Sequence, residues 1–511
     1  MPIYYGDSGR KYNDTGRLYG SYVYQAANYI WIIEVDWDGD GVYSGENEDI
    51  YTQGLSTDRG WDNLYNTETS GATDYFAPPS PGSAVIKFEN SSNRFSTWDT
   101  SGVPTNVMPG RLVRIRVRDG YSGTVRDVFA GVVTNIQEDR ADKKVTITAT
   151  DGITQLQEQE AMVEWDNISY SDDNAAAAVA TSIGYPWNTN MVNIVPASYF
   201  AFWAKDRAIK VLNEIAKRLP TSLFYVAANG DITYKYFEYG VGTSYDSDKF
   251  KKNVDVSLPW ENLKTSVVTN LRYWDADATA VLWTKSSDTL TIPASSSISF
   301  IVDYNYSEPD FMVDADALIA STDYVANATT DGLGADMTSD ITPTLLSYGV
   351  SGSLTLTNAS IDAAYITTLQ VRGTPYVNRG LEVQETLTDF LGIGVKIFAV
   401  DSLYRHGYLG ITAGTGDGSQ YYGNLGYPHV NKQVTVQIET QAHQFIHDLA
   451  DAIKINITDP YLVPLDWTVT EKYNNFRISK ISHTWLNENG QSVLTTWGLR
   501  HTIIKGPPKL L

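Results

Sequence analysis

The chain is 511 residues long, enough for about three to five domains with sizeable cores. It has no cysteine, which excludes disulfides and thiolate metal sites, and no run of about 18 apolar residues, so no stable membrane anchor is expected. A net charge of -22 with an isoelectric point near 4.6 disfavours nonspecific gripping of nucleic acid, because that requires Lys and Arg against phosphates.

Residues 1–27 are polar, Gly- and Tyr-rich and without periodicity, and read as an N-terminal arm. The opening Met1-Pro-Ile-Tyr-Tyr-Gly is too short and polar for a secretion signal, so synthesis in the cytoplasm with release by lysis is expected. Tyr29 to Trp37 alternates as a strand and opens a first β domain, 28–158. The stretch 56–82, rich in Thr, Asp and Gly, reads as a long loop. Strands are predicted from Ser83, across Pro109 to Arg118, from Val128 to Ile136 and from Lys144 to Thr150, each alternating with period two between Gly, Pro, Asn or Asp. Together they predict antiparallel strands of a small closed barrel.

A helix-and-hairpin domain follows at 159–250. A short helix from Asp172 stops at Gly184, and a clear one runs from Asp206 to Leu219 on Ala208, Val211, Leu212, Ile215 and Leu219. Ser222 to Val226 and Asp231 to Tyr236 flank Ala-Asn-Gly as a hairpin. Residues 251–284 read as a β segment. The stretch 285–377 reads as a β-sandwich with strands at 296–303, 324–328, 353–357 and 366–373. The last part, 378–511, is α+β. It has a predicted helix from Gln441 to Ile455 and a final hairpin of Phe476 to Trp485 with Ser492 to Arg500. The fold class is therefore mainly β with α+β parts, multidomain, with antiparallel β-barrel elements, a β-sandwich and a few short helices.

Four pieces stand in order within 83–155: Asn90 to Ser96, Pro109-Gly-Arg-Leu-Val-Arg-Ile-Arg116, Phe129 to Val132, and Val145 to Leu156. They resemble the N-x-x-x-R-F/Y-S, PGRxVRIR, FxGxV and VTITAxDxxxxL pieces in the first barrel of phage tail-tip hub (minor tail) proteins. The helix and hairpin at 206–236, Asp401-Ser-Leu-Tyr-Arg-His-Gly (with His406 where the family has Tyr) and the 441–455 segment followed by Thr458-Asp-Pro extend the resemblance over most of 28–505. It is weak between 40 and 82.

The resemblance implies a structural virion protein at the distal end of a phage tail. It implies a homotrimer whose chains each give two tube-like barrels. The second barrel would be completed by 251–284 and segments after 429. The implied partners are tail tube and distal tail proteins, a tape-measure protein and receptor-binding fibres, with DNA only as passing cargo. No enzymatic activity is needed. The acidic balance then reads either as ordinary solubility or as a negative lumen past which DNA slides.

Candidate chemistry is sparse. Asp36-Trp-Asp38-Gly-Asp40-Gly41 has D-x-D-x-D-G spacing suited to calcium, but Asn47 stands where a calcium loop has its bidentate Glu, so an acidic turn is the alternative. No other cofactor is expected. His443 and His447, at i and i+4, lack the Glu of H-E-x-x-H and a third ligand. G-x-x-x-x-G-K-[ST] and G-x-S-x-G are absent. Glu34, Asp36 and Glu164, beside Trp residues, are the only suggestions for an alternative class, an extracellular carbohydrate-binding or glycoside-hydrolysing protein. Arg114, Arg116 and Arg118 share one face of a strand. They read either as a solvated face or as a contact strip for an acidic neighbouring subunit, and in both cases as charges that contribute little to stability.

Overall fold

The computed structural model describes residues 29–43, 47–61, 79–97, 106–119, 123–166, 170–192, 198–199, 202–218, 222–236, 243–246, 255–257, 266–286, 289–309, 311–387, 397–405, 435–440, 445, 447–456, 474–488, 490 and 493–501. The arm and all of 406–434 lie outside this set. Of the described residues, strands hold the majority, and three short α-helices and two single-turn 3-10 helices hold the rest of the regular structure, so the chain is mainly β and multidomain.

The first unit contains β1 (Tyr29–Val35), β2 (Thr52–Gly60), β3 (Ser80–Glu89), β4 (Leu112–Asp119), β5 (Val125–Asp139), β6 (Lys144–Thr150) and α1 (Gly152–Glu158). Hydrogen bonding runs in the order β1-β4-β5-β6-β3-β2. Period-two alternation drives Trp31, Ile33 and Val35, then Ile86 and Phe88, Val113 and Ile115, and Val145 and Ile147 into one core. Gly131 is required where β5 crosses β6, because a Cβ there would lie 2.2 Å from the Thr150 carbonyl oxygen. Residues 56–60, expected in a long loop, belong to strand β2. Their polar sequence hides the pattern because Thr57 and Arg59 are themselves buried. Residues 62–78 of that expected loop lie outside the described set.

The sheet is a curled half-barrel rather than a closed barrel. Among the described residues, β1 meets the segment leading into β2 only at the isolated bridge Glu34–Asn47. The outer edge of β2 instead pairs with a strand from the far end of the chain.

The second unit contains β7 (Glu160–Asp166), β8 (Tyr170–Ser171), α2 (Asp172–Ser182), β9 (Thr189–Val192), β10 (Ser198–Tyr199), β11 (Phe202–Arg207), α3 (Ala208–Arg218), β12 (Ser222–Val226), β13 (Ile232–Tyr236) and β14 (Thr243–Asp246). Both predicted helices form, and α2 stops at Gly184, whose φ is +61°. Helix α3 buries Ala208, Ile209, Leu212, Ile215 and Ala216. Asp206 and Arg207 belong to β11 instead. The β12–β13 hairpin forms as predicted, with Val226 opposite Ile232.

Then come β15 (Asp255–Ser257), β16 (Ser266–Ala276), β17 (Ala280–Thr284), β18 (Leu290–Ile292), β19 (Ser297–Asp303), β20 (Phe311–Ala315), β21 (Tyr324–Asn327), β22 (Ile341–Ser347), β23 (Ser351–Asn358) and the 24-residue β24 (Ala364–Leu387). Strands β19-β23-β22 pack as one layer over β17, β18, β20 and β21, all four of which pair with β24. Leu354, Leu356, Ile366 and Val371 lie in the core of this sandwich. Strand β24 continues past the sandwich to pair with β16.

The chain ends with β25 (Ile397–Arg405), β26 (Thr435–Thr440), β27 (Ala452–Asn456), β28 (Asn474–Trp485) and β29 (Val493–His501). The predicted helix 441–455 is overturned over its described C-terminal part. Ala452-Ile-Lys-Ile-Asn is strand β27, with Ile453 and Ile455 alternating into the core at period two. Strands β15 and β26–β29, expected in a second barrel, share a twelve-stranded hydrogen-bonded sheet with the first unit, joined where β2 pairs with β28. Gly60 makes that junction possible: its φ is +142° and a Cβ would lie 2.3 Å from the Ser479 carbonyl oxygen.

Candidate functional site

The residues that carry the four sequence pieces converge as joints of the curled sheet. Asn90, almost fully buried, accepts the Phe95 N–H at 2.8 Å and so folds the 90–96 loop. Arg94 forks onto Glu48 through Nε at 3.1 Å and Nη2 at 2.9 Å. Phe95 stacks on Phe88 with centroids 4.6 Å apart. Ser96 donates to Glu138 at 3.3 Å. A polar open recess of about 400 Å³ beside this loop is lined by Asn90, Ser96, Glu138, Arg140 and Lys143.

Asp151 caps α1 by accepting the Ile153 N–H at 3.1 Å, and Leu156 closes the helix onto the core. Burial pushes the Asp151 carboxyl up to about 6, against the Ile153 and Gly82 amides and the Arg59 charge, which favour the ionised form. Because the folded value lies above the unfolded one, this group's contribution is full below about pH 4 and lost as pH rises through 6. The loss is on the order of 3 kcal/mol. Asp151→Asn is therefore expected to flatten the stability decline between pH 4 and 7 relative to wild type. Urea unfolding across that range checks this, and equal slopes in the two proteins would refute the assignment.

Among the described residues, side chains rather than a ladder link β1 to the β28–β29 turn. Trp31 on β1 donates from Nε1 to the Gly490 carbonyl at 3.0 Å, in the β28–β29 turn. Trp485 and Phe445 pack on Trp31 with centroids 5.3 and 5.6 Å away. A second polar joint fastens the helix-and-hairpin unit to the large sheet. Arg59 reaches Asp448 at 2.7 Å and the Val226 carbonyl at 3.3 Å, while the Ala228 N–H donates to Asp448 at 3.0 Å. Lys235 pairs with Asp451. His447 bridges Asp451 at 3.2 Å and the Tyr245 hydroxyl at 2.6 Å. His447 is thus a structural group off any helix, and His443 lies outside the described residues.

The Arg face is only partly free. Glu34, directly across from Arg114, takes Arg114 Nε at 2.9 Å and Arg116 Nη2 at 2.9 Å. Arg114 also stacks over Tyr43 at 4.3 Å. Reversing Arg114 and Arg116 would set three carboxylates together, so the expectation that these charges contribute little to stability does not hold for them. Arg118, exposed at the strand end, makes no ion pair with a described residue.

Asp36, Asp38 and Asp40 converge, with one oxygen of each within 4.8 Å of the others. Buried Asp36 accepts the N–H groups of Gly39 at 2.7 Å, Asp40 at 3.1 Å and Gly41 at 3.0 Å. The Arg111 guanidinium packs against Gly39, leaving no room for a Cβ. Amides from the loop itself therefore already answer much of the Asp36 charge. The carboxylates suggested for glycoside chemistry are not assembled as a pair. Glu34 is held by two guanidiniums, Asp36 by three amides, and Glu164 sits on β7 near Tyr348.

No family model matches the sequence, and no curated protein matches it. Solved structures do. The matched structures include phage and prophage tail proteins, the E. coli c3393 protein, which is a component of the type VI secretion system, and the Francisella PdpA-VgrG complex. The 43 kDa tail protein of prophage MuSo2 from Shewanella oneidensis has a TM-score of 0.44 and 10% identity, covering 92% of this chain and 98% of that one. The tail protein from Neisseria meningitidis MC58 has a TM-score of 0.46 and 8% identity, covering 92% and 96%. Prophage tail protein gp18 from Listeria monocytogenes EGD-e has 0.40 and 8%, covering 92% and 94%.

Proposed function

We propose that the chain is a structural virion protein, the hub at the distal end of a phage tail, and not an enzyme. The observation that carries this reading is the joint work of the four hub-like pieces. They fall on consecutive parts of one curled sheet, and their signature residues Asn90, Arg94, Gly131 and Asp151 each hold a strand, loop or helix in place. In this reading three chains close the tail tube and contact the distal tail, tape-measure and receptor-binding proteins. They part to let DNA through, and the acidic balance keeps DNA from sticking. Mass photometry with negative-stain microscopy tests it. Three copies of the 56.6 kDa chain in a ring with a lumen are expected. A monomer, both alone and with tail-tube protein, would count against it.

Calcium on Asp36, Asp38 and Asp40 is a separable part of the proposal. Millimolar calcium is then expected to raise the melting temperature over chelator by roughly 2–4 °C, the effect of about 1 kcal/mol. Asp38→Asn with Asp40→Asn should abolish the rise. An unchanged wild-type melting temperature leaves the amide cage as the whole account of this loop.

A further inference from the structure

Between Lys285 and Arg372 the sequence carries no Lys, Arg or His at all, yet eleven Asp or Glu. This segment makes up most of the sandwich, whose basic groups Lys285 and Arg372 stand only at its limits, Arg372 paired with Asp323. Its free end is also framed by hydrogen bonds. Strands β18 and β21 meet the first residues of β24, Ile292 opposite Ala364 and Asn327 opposite Tyr365, so the loops after Ile292, after Asn327 and before Ala364 leave the same end.

Two of these loops are built around a buried asparagine. Asn327 donates to the carbonyls of Gly332 at 3.2 Å and Gly334 at 3.1 Å, while Asp331 accepts the Leu333 N–H at 3.0 Å. Asn358 donates to the carbonyls of Pro293 at 3.2 Å and Asp362 at 2.9 Å and accepts the Ser360 N–H at 2.9 Å. Each frame holds one aliphatic side chain in water: Leu333 and Ile361 are both 86% exposed. Two rigid loops that present apolar knobs among carboxylates have little ordering entropy left to lose on docking.

The same chain holds a surface of the opposite kind. Across the outer face of the curled sheet Ile30, Arg118 and Val125 stand in one row of three paired strands. Ile30 and Val125 are 47% and 37% exposed, and Arg118 is the one member of the Arg strip that Glu34 leaves free. The charges beside this row include Arg116, committed to Glu34, the exposed Asp127 opposite it, and the exposed Arg126 next to Val125.

We infer that the sandwich tip, through Leu333, Ile361 and Asp362, docks on the Ile30–Arg118–Val125 row of a second copy of this chain. The fit is apolar to apolar with carboxylate to guanidinium at its centre. A contact between two different patches repeats head to tail and closes into a ring when the rotation allows. An anionic membrane is the wrong occupant for an end with no basic group. The inference rests on the oligomeric reading above and deepens it.

The absence of cysteine makes the test clean. Leu333→Cys chains are mixed with Val125→Cys chains under mild oxidation, and Ile361→Cys with Ile30→Cys. A non-reducing band at twice 56.6 kDa is expected in the mixtures and not in either single variant. Arg118→Asp should reduce its yield at least about tenfold, the effect of roughly 1.4 kcal/mol, and adding Asp362→Lys to the partner chain should restore it. Asp362 is the right choice because only its backbone, through its N–H and carbonyl, takes part in the loop frame, and circular dichroism melts confirm that the variants fold. An oligomer by mass photometry that gives no mixed disulfide overturns this contact alone. Homodisulfides through Leu333 would replace it with a tip-to-tip contact. A monomer throughout overturns the oligomeric reading as well.

Discussion

Glu48→Ala is expected to cost about 3–5 kcal/mol, the scale for removing one partner of a buried ion pair. Glu48 is completely buried and answers three donors: Trp37 Nε1 at 3.1 Å and both faces of the Arg94 fork. Without it the Arg94 guanidinium, packed between the Tyr51 and Phe95 rings 5.0 and 5.6 Å away, and the buried Trp37 N–H both lose this carboxylate. Urea unfolding measures the loss, and the Glu48→Ala, Arg94→Ala cycle should return a coupling well above 1 kcal/mol. A single-variant loss under about 1 kcal/mol would mean that Arg94 swings into water at little cost.

The second large effect is acid sensitivity through His483. It lies on β28 opposite Thr57 of β2 and Thr495 of β29, at the junction between the two ends of the chain. Its Nδ1 pairs with the Thr495 hydroxyl at 2.9 Å, and the Phe445 ring lies 4.8 Å away. Burial, helped by the Arg59 charge, pushes the imidazole down to about 3. The folded value lies below the unfolded one, so the contribution is full above about pH 6.5 and lost as pH falls towards 3. The loss is on the order of 4–5 kcal/mol. His483→Gln is expected to be less stable at pH 7.5 but to lose less stability between pH 6.5 and 4. Parallel pH profiles for the two proteins would show that His483 does not gate acid unfolding. Asp151 works in the opposite direction, so each variant is to be compared with wild type in the same buffers.

Strands were legible wherever apolar residues alternated against polar ones, as in β1, β3 and β6, and helices where apolar spacing ran past two turns, as in α3. Strand β2 was not legible because its inward residues include Thr57 and Arg59, whose burial depends on partners hundreds of residues away. The segment at 441–455 misled because Leu449, Ala450 and Ile453 mimic helical spacing while Ile453 and Ile455 obey the strand period. The Asp36 loop and the Arg face could be located from spacing. Glu34 as their counter-charge could have been found from strand pairing alone, since Glu34 and Arg114 are cross-strand neighbours. The Glu48–Arg94 and Arg59–Asp448 joints carry no local signal, since each is made by chain segments that meet only after the sheet curls.

Strand β24 has a mechanical consequence. Its 24 residues span roughly 75–80 Å when extended, with the sandwich strands paired along one end and β16 along the other. The chain enters the sandwich through β16 and β17, which both pair with that same strand, and Lys205 ties β11 to Ser351 at 2.8 Å. No free linker interrupts β24 between sandwich and root, so load on the tip is borne in shear by a long row of backbone hydrogen bonds. The sandwich then acts as a stiff lever: a push at Leu333 becomes a torque on β16 and on β25 beside it.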